Sequence, residues 1–147
     1  MLSQKAKYAF RALFALAKAG VGESLLISDI AEAQKIPKKF LEQILLDLKH
    51  RGLVSSRRGK NGGYALRKPP EEITFGEVVR TIDGPIAPLP CLSKMAYLRC
   101  EDCEDETACH IRGVFGKAHE ATLMVLDRTT LADAMAGETR TGNRYRA

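Results

Sequence analysis

The stretch from Ser28 to Lys68 constrains this chain more than any other. A short helical pattern, SDIAEAQ, with Ser28 as its cap, leads to a turn at Lys35 and Ile36. Pro37 suits the first position of a second, longer helix, since its missing N–H would be unpaired there in any case. That helix runs to about Arg51, and Gly52 stops it. Leu41, Ile44, Leu45 and Leu48 recur at helical spacing and form its buried stripe, which leaves Lys38, Lys39, Gln43 and Lys49 for the other faces. LVSSRR then reads as a strand, GKNGG as a tight turn and YALRK as the returning strand. A short helix, a turn, a longer basic helix and a basic hairpin in that order predict a winged helix-turn-helix.

The flanking segments fit the same plan. Ser3 to Gly20 reads as an amphipathic helix whose apolar face includes Ala6, Ala9, Phe10, Leu13 and Phe14. Its basic, apolar start resembles a signal peptide, but Lys18 ends the apolar stretch, and the expected location is the cytoplasm. No run approaches the ~18 apolar residues of a membrane span, so no membrane partner is expected. Pro69 and Pro70 break the chain, and Thr74-Phe75-Gly76-Glu77 predicts a capping box for a helix ending at Asp83-Gly84. A proline-rich, then acidic and cysteine-rich loop follows. A last helix is expected from about Thr107, with Ile111, Phe115, Ala118, Thr122 and Val125 stepping by four and three. That stripe suits pairing with another helix or packing on the chain's own body. The fold class is therefore mainly α with a small β-hairpin.

Charge supports a polyanionic partner. Met1 to Lys68 carries 14 Lys/Arg and 5 Asp/Glu, whereas Pro69 to Ala147 carries 9 and 13, within a net charge of +5. In double-stranded DNA the residues from Pro37 to Gln43 would lie nearest the bases. Lys38, Lys39 and Gln43 would donate to base edges or phosphate, Phe40 would meet a thymine methyl, and Glu42 would accept from cytosine or set a neighbour's position. Arg57, Arg58, Lys60, Asn61 and Gly62 in the wing would follow phosphate or enter the minor groove. Tyr8 and Tyr64 have hydroxyls for phosphate but read first as packing residues. A protein-interaction module with an acidic partner is the rival class. Nothing in the chain has the form of a P-loop, a Rossmann fingerprint or a nucleophile elbow, and no enzymatic activity is expected.

All four cysteines fall between Cys91 and Cys109. Without a secretory signal, such a cluster points to metal or redox chemistry rather than to structural disulfides. Cys100 and Cys103 form a CxxC pair able to hold one metal. A thioredoxin-like dithiol needs electropositive surroundings to make its thiolate. Here Glu101, Asp102, Glu104, Asp105 and Glu106 oppose it. His110, beside Cys109, is a further candidate ligand. His50 reads as a cap or a solvated residue, and His119 receives no role.

The series LEQ at 41–43, GLV at 52–54, Arg58-Gly59 and Gly62-Gly63-Tyr64, followed by ITFGEVVRTIDGP, resembles the Rrf2 family of bacterial transcriptional regulators over roughly Met1 to Thr130. The resemblance implies a homodimer that binds imperfect palindromes near promoters. It divides the chain into a winged helix-turn-helix DNA-binding domain (1–84), a cysteine-rich loop (85–106), a long dimerisation helix (107–134) and a tail (135–147) expected to be disordered. Several members hold a [2Fe–2S] or [4Fe–4S] cluster on three cysteines of that loop, and the matching residues here are Cys91, Cys103 and Cys109. The five-residue gap from Cys103 to Cys109 fits the family, whereas the first gap is longer and Cys100 is extra. Arg112 stands where one branch has a histidine ligand. Zinc on all four cysteines, and a metal-free thiol sensor, remain open beside the cluster.

Overall fold

The computed structural model describes residues 2–60 and 62–137. The expectations for Asn61 and for the tail beyond 137 lie outside the described residues. Helix α1 spans Gln4–Ala19. Ser3 Oγ accepts the Ala6 N–H at 2.9 Å, and Gly20, at φ +107°, turns its own N–H back onto the last carbonyls. Ala6, Ala9 and Ala12 are fully buried, so α1 sits close beneath its neighbours while Phe10, Leu13 and Leu16 fill the space between them. Phe10 stacks on Phe75 with centroids 4.5 Å apart, and Phe14 lies beside both rings.

Helix α2 covers Ile27–Gln34 and α3 covers Lys38–His50. The caps differ from those read in the sequence. Leu26, not Ser28, is the N-cap of α2, and no side chain closes it. The cause is upstream: Leu25 and Tyr64 exchange backbone hydrogen bonds of 2.8 Å each, so the chain is extended through Leu25 and can turn helical only after Leu26. Pro37 likewise is the N-cap of α3 rather than its first helical residue. Lys35 makes the turn between them at φ 53°, the sole non-glycine with positive φ among the described residues. Leu41, Ile44, Leu45 and Leu48 are fully buried, as their spacing predicts.

Strands β1 (Val54–Arg57) and β2 (Gly63–Leu66) pair antiparallel, with Val54 opposite Leu66 and Arg57 opposite Gly63. The Leu25 bridge adds a third edge to this hairpin. Helix α4 spans Phe75–Asp83. Thr74 Oγ1 accepts the Glu77 N–H at 3.2 Å, but the capping box is only half made, because the Glu77 carboxylate pairs with Lys68 at 3.1 Å.

The last helix differs most from expectation. Helix α5 is His110–Leu126, and a separate short helix α6 is Leu131–Met135. Asp105 accepts both the N–H and the hydroxyl of Thr107, at 2.8 and 2.7 Å, which holds Thr107 in a turn and delays the helix to His110. Thr130 and Asp133 form a reciprocal capping box that starts α6. The Leu131 N–H bonds to the Ile73 carbonyl at 2.9 Å, and the Leu131 side chain is fully buried in the core of the head. One continuous helix over 107–134 is thus corrected to two, the second folded back on α1 and the chain before α4. No helix among the described residues is long and apolar enough to cross a membrane.

Candidate nucleic-acid interface and cysteine loop

On α3, positions 38, 39, 42 and 43 share the side opposite the buried leucine stripe. Lys38, Lys39, Glu42 and Gln43 are all exposed, and Pro37 is exposed beside them. Gln43 is not idle: its amide donates to Asp47 at 3.0 Å, and Lys5 of α1 reaches the other Asp47 oxygen at 2.7 Å. This Lys5–Asp47–Gln43 cluster was not legible in the sequence, because residues 5 and 47 meet only once α1 crosses α3. It neutralises an acid on the recognition helix and fixes the rotamer of Gln43. Phe40 is half-buried, with its ring edge-on to Tyr8 at 5.6 Å, and Arg11 lies over the other part of Tyr8 at 5.8 Å. Phe40 therefore packs on α1 with part of its ring, and the rest of its surface stays open.

The hairpin places Arg57, Arg58 and Lys60 together, all exposed, at its outer end. Gly62 is buried in the turn, and its N–H donates to the Gly59 carbonyl at 3.0 Å. Among the described residues of the turn, Gly59 (+104°) and Gly63 (+130°) have positive φ and Gly62 does not. Gly62 is required for space: a Cβ there would strike the carbonyl oxygens of Arg57 and Gly59. Gly62 thus shapes the wing. Two cationic groups of side chains, one on α3 and one on the wing, are carried by the same fully packed core. Tyr64 is partly buried against that core, in keeping with packing.

The loop between α4 and α5 is held by its own side chains. A short 3-10 turn at Pro90–Leu92 buries Cys91 and packs on α5, with Leu92 lying over Gly116. The Tyr97 hydroxyl donates to the Glu106 carboxylate, which raises the tyrosine's titration above its ordinary range. Arg99 donates to the carbonyls of Cys103 and Glu104 at 2.9 and 3.0 Å. The Cys103 N–H closes the CxxC turn onto the Cys100 carbonyl at 3.2 Å. Cys109 is the N-cap of α5, and its Sγ accepts the Arg112 N–H at 3.4 Å.

Cys91 is buried, Cys103 and Cys109 are half-buried and Cys100 is exposed, and all four are free thiols. Local desolvation, and then the charges of Cys91, Asp102, Cys103 and Cys109, push the Cys100 thiol up. The charges of the other three cysteines thus each reach Cys100. Among the described residues, no three His, Cys, Asp or Glu side chains converge on a single point. The donors nevertheless fit a soft metal centre in type and number, and the fold gathers them into one loop. His110 is exposed at the first turn of α5. Of the expected pairing stripe, Ile111, Phe115, Ala118 and Thr122 are exposed and Val125 is half-buried, and Val114 and Met124 extend the exposed apolar surface. Thr122 donates its hydroxyl to the Ala118 carbonyl at 2.9 Å, which keeps it from presenting a bare polar group along that face.

Comparison with known proteins agrees along nearly the whole chain. The profile of the Rrf2 family, described as iron-dependent transcriptional regulator, matches residues 2–137. A Rhodobacter capsulatus protein described as an rrf2-like HTH-type transcriptional regulator is 50% identical over 139 residues, covering 92% of this chain and 93% of its own. The HTH-type transcriptional regulator CymR of Bacillus subtilis is 36% identical over 133 residues, 90% of this chain and 87% of its own. The solved structure of CymR, the global cysteine regulator of B. subtilis, superposes with a TM-score of 0.75 at 33% identity over 93% of this chain and 97% of that one. IscR of T. potens superposes with a TM-score of 0.72 at 29% identity over 93% of this chain and 87% of that one.

Proposed function

The chain belongs to the Rrf2 family, and from that premise we propose that it regulates transcription as a homodimer whose cysteine loop senses iron–sulfur status or redox state. As a member it is a DNA-binding winged-helix transcriptional regulator and not an enzyme. In the proposed complex, α3 enters the major groove with Lys38, Lys39 and Glu42 at its leading side, and Gln43 holds Asp47 and Lys5 in register. Arg57, Arg58 and Lys60 follow the adjacent phosphates or the minor groove. Asn61 belongs to the same wing by sequence. The exposed Ile111, Val114, Phe115 and Ala118 of α5 pair with the same face of a second copy, which sets two recognition helices on an imperfect palindrome. The organisation into a DNA-binding head, a cysteine loop and a dimerisation helix follows from that reading. The cytoplasm is the compartment in which such a protein meets DNA.

One observation carries the sensor: four free cysteines lie in the segment that joins the head to α5, and the charges of three of them reach the fourth, Cys100. Cys91, Cys103 and Cys109 are the proposed ligands of a [2Fe–2S] or [4Fe–4S] cluster. Such a cluster is lost or changes charge with iron supply and oxidant. The chain's own residues transmit the state. Cys109 exchanges its role as cap of α5 for a ligand role, and Arg99 and the Tyr97–Glu106 pair hold the rest of the loop for the exchange. The coupling of Cys100 to the other three also favours a second reading, zinc bound by all four. Anaerobic purification with a visible spectrum and metal analysis, combined with serine at each cysteine and DNA titration across salt, separates them. The cluster reading expects coloured protein and loss of colour and regulation at Cys91, Cys103 and Cys109, with Cys100 tolerant. Equal loss at all four in colourless protein with stoichiometric zinc selects zinc. No specific, salt-dependent binding to any promoter fragment would reject the DNA-binding geometry.

A further inference from the structure

A cavity of about 400 Å³ opens between the end of α4, the loop after it and the C-terminal half of α5. Its polar lining comes from all three: Arg80 from α4, Ser93 and Lys94 from the loop, His119 and Asp127 from α5 and its C-cap. Ile86, Met95 and Leu123 supply an apolar side. No cysteine lines it, and neither does any residue of the leading side of α3, so it is separate from both surfaces described above.

His119 makes this recess more than a surface hollow. Its side chain is only 7% exposed, yet Nδ1 has no hydrogen-bond partner among the described residues. Native folds seldom leave a buried polar nitrogen unpaired, so this one has a place for a partner from outside the chain, water or ligand. Arg80 is bound in a two-pronged pair to Asp127, at 2.7 and 2.9 Å, so those two charges cancel. Lys94 is exposed at the rim and forms no ion pair among the described residues. The lining is left with one unneutralised positive charge. Ser93 Oγ accepts the Ala96 N–H at 2.9 Å, which leaves its own hydroxyl proton to donate inward. One positive charge, one donor, an imidazole with an unpartnered nitrogen and an aliphatic side define a ligand with one negative charge and a short apolar arm. The volume falls in the range of small-molecule sites, roughly 300–1,000 Å³.

We propose that this cavity binds a small organic carboxylate, with Lys94 and Ser93 on the carboxylate, His119 on a second polar atom and Ile86, Met95 and Leu123 around the arm. A ligand there touches head, loop and α5 at once. It is therefore placed to alter their relative positions as an input independent of the cysteines.

The test uses the full chain with histidine labelled for ring NMR, since His50, His110 and His119 are its three histidines. Butyrate and hexanoate are the probes, with butylamine and inorganic phosphate beside them. The expected result is a saturable shift of the His119 ring with hexanoate, stronger than with butyrate and absent with butylamine. Lys94→Ala, at an exposed position where folding is not at stake, should weaken binding roughly three- to tenfold. His119→Leu should remove it, and a thermal melt shows whether that variant is folded. Failure of every carboxylate to saturate at millimolar concentration overturns the proposal. Binding unchanged by Lys94→Ala, or equal response to phosphate, also overturns it. So does a His119 signal that moves with protein concentration alone, because the recess would then be filled by a second copy. Each of these outcomes leaves DNA binding and the cysteine tests unaffected.

Discussion

Gly63 is where the wing is fastened to the rest of the head, and Gly63→Ala measures that fastening. The residue sits at φ +130°, and a Cβ there would fall on the carbonyl oxygen of Leu25. Next to it, Leu25 and Tyr64 exchange two hydrogen bonds of 2.8 Å. A methyl group imposes two costs. The backbone conformation is worth about 1–3 kcal/mol of strain for a residue with a side chain. The collision is relieved only by moving the Leu25 segment away, which gives up the two hydrogen bonds at about 1 kcal/mol each. The sum, about 3–5 kcal/mol, is a large share of the ~5–15 kcal/mol that holds a typical domain together. Gly59 is the internal control. It has φ +104° but nothing within contact of an added Cβ, so Gly59→Ala bears the strain without the collision. Urea unfolding of both variants should place Gly63→Ala about 2 kcal/mol below Gly59→Ala at unchanged m-value. Promoter affinity of the folded fraction should fall further for Gly63→Ala, because Arg57, opposite residue 63, moves with the strand. Equal destabilisation by the two substitutions would refute the reasoning, since the Leu25 contact would then contribute nothing.

Two further outcomes follow from burial. Leu131→Ala removes a fully buried side chain that α6 inserts into the head, and thermal or chemical unfolding should show a loss of about 2–5 kcal/mol, against little change for an exposed α6 position such as Met135. Phe115→Glu places a charge in the exposed apolar face of α5, and sedimentation should shift from dimer to monomer while the circular dichroism spectrum stays unchanged.

The head was legible because its signals are local and agree with each other. The leucine stripe of α3, the stop at Gly52 and the glycine-rich turn each imply the next element, and the core residues of α3 are buried as their spacing requires. The errors fall where a distant strand or side chain competes. Ser28 lost the cap of α2 to a bridge with Tyr64, which is 36 residues from it. Glu77 left its capping box for Lys68. Thr107 was held out of α5 by Asp105, and Thr130 began a new helix where an apolar period alone reads as one. For the candidate interface, residue type and exposure agree for Lys38, Lys39, Glu42, Arg57, Arg58 and Lys60. Phe40 is half-buried because Tyr8, from a helix more than thirty residues earlier, packs on it, and Gln43, though exposed, is tied to the Asp47 that Lys5 of the same helix also holds. The cysteines were visible from their clustering, whereas the burial of His119 depends on a loop with no periodicity to read.

The way α5 is anchored gives the proposed switch its mechanical basis. At its C-terminal end the helix is held firmly. Asp127 takes both prongs of Arg80 from α4, the Thr129 carbonyl accepts the Phe75 N–H at 3.0 Å, and Leu131 is locked in the core. At its N-terminal end it is held by the cysteine loop, through the Cys109 cap and the contact of Leu92 with Gly116. Between the ends its outer face is apolar and exposed. A rod fixed at one end moves most at the other. With 17 residues at 1.5 Å each, α5 is about 25 Å long, so a tilt of about 10° about Asp127 carries Cys109 roughly 4 Å. In the proposed homodimer the partner helix would lie along the outer face, so the same tilt would be transferred to the angle between two heads. Two recognition helices must meet half-sites about 34 Å apart, and a few ångströms of misfit there is enough to lose register on the DNA. In the proposed switch, drawing Cys109 towards a metal would move its Sγ away from the Arg112 N–H, at the end of α5 that has the longest lever. Cys100, in an exposed turn away from that cap, has no such lever, which is why serine at Cys109 should uncouple signal from DNA affinity more completely than serine at Cys100.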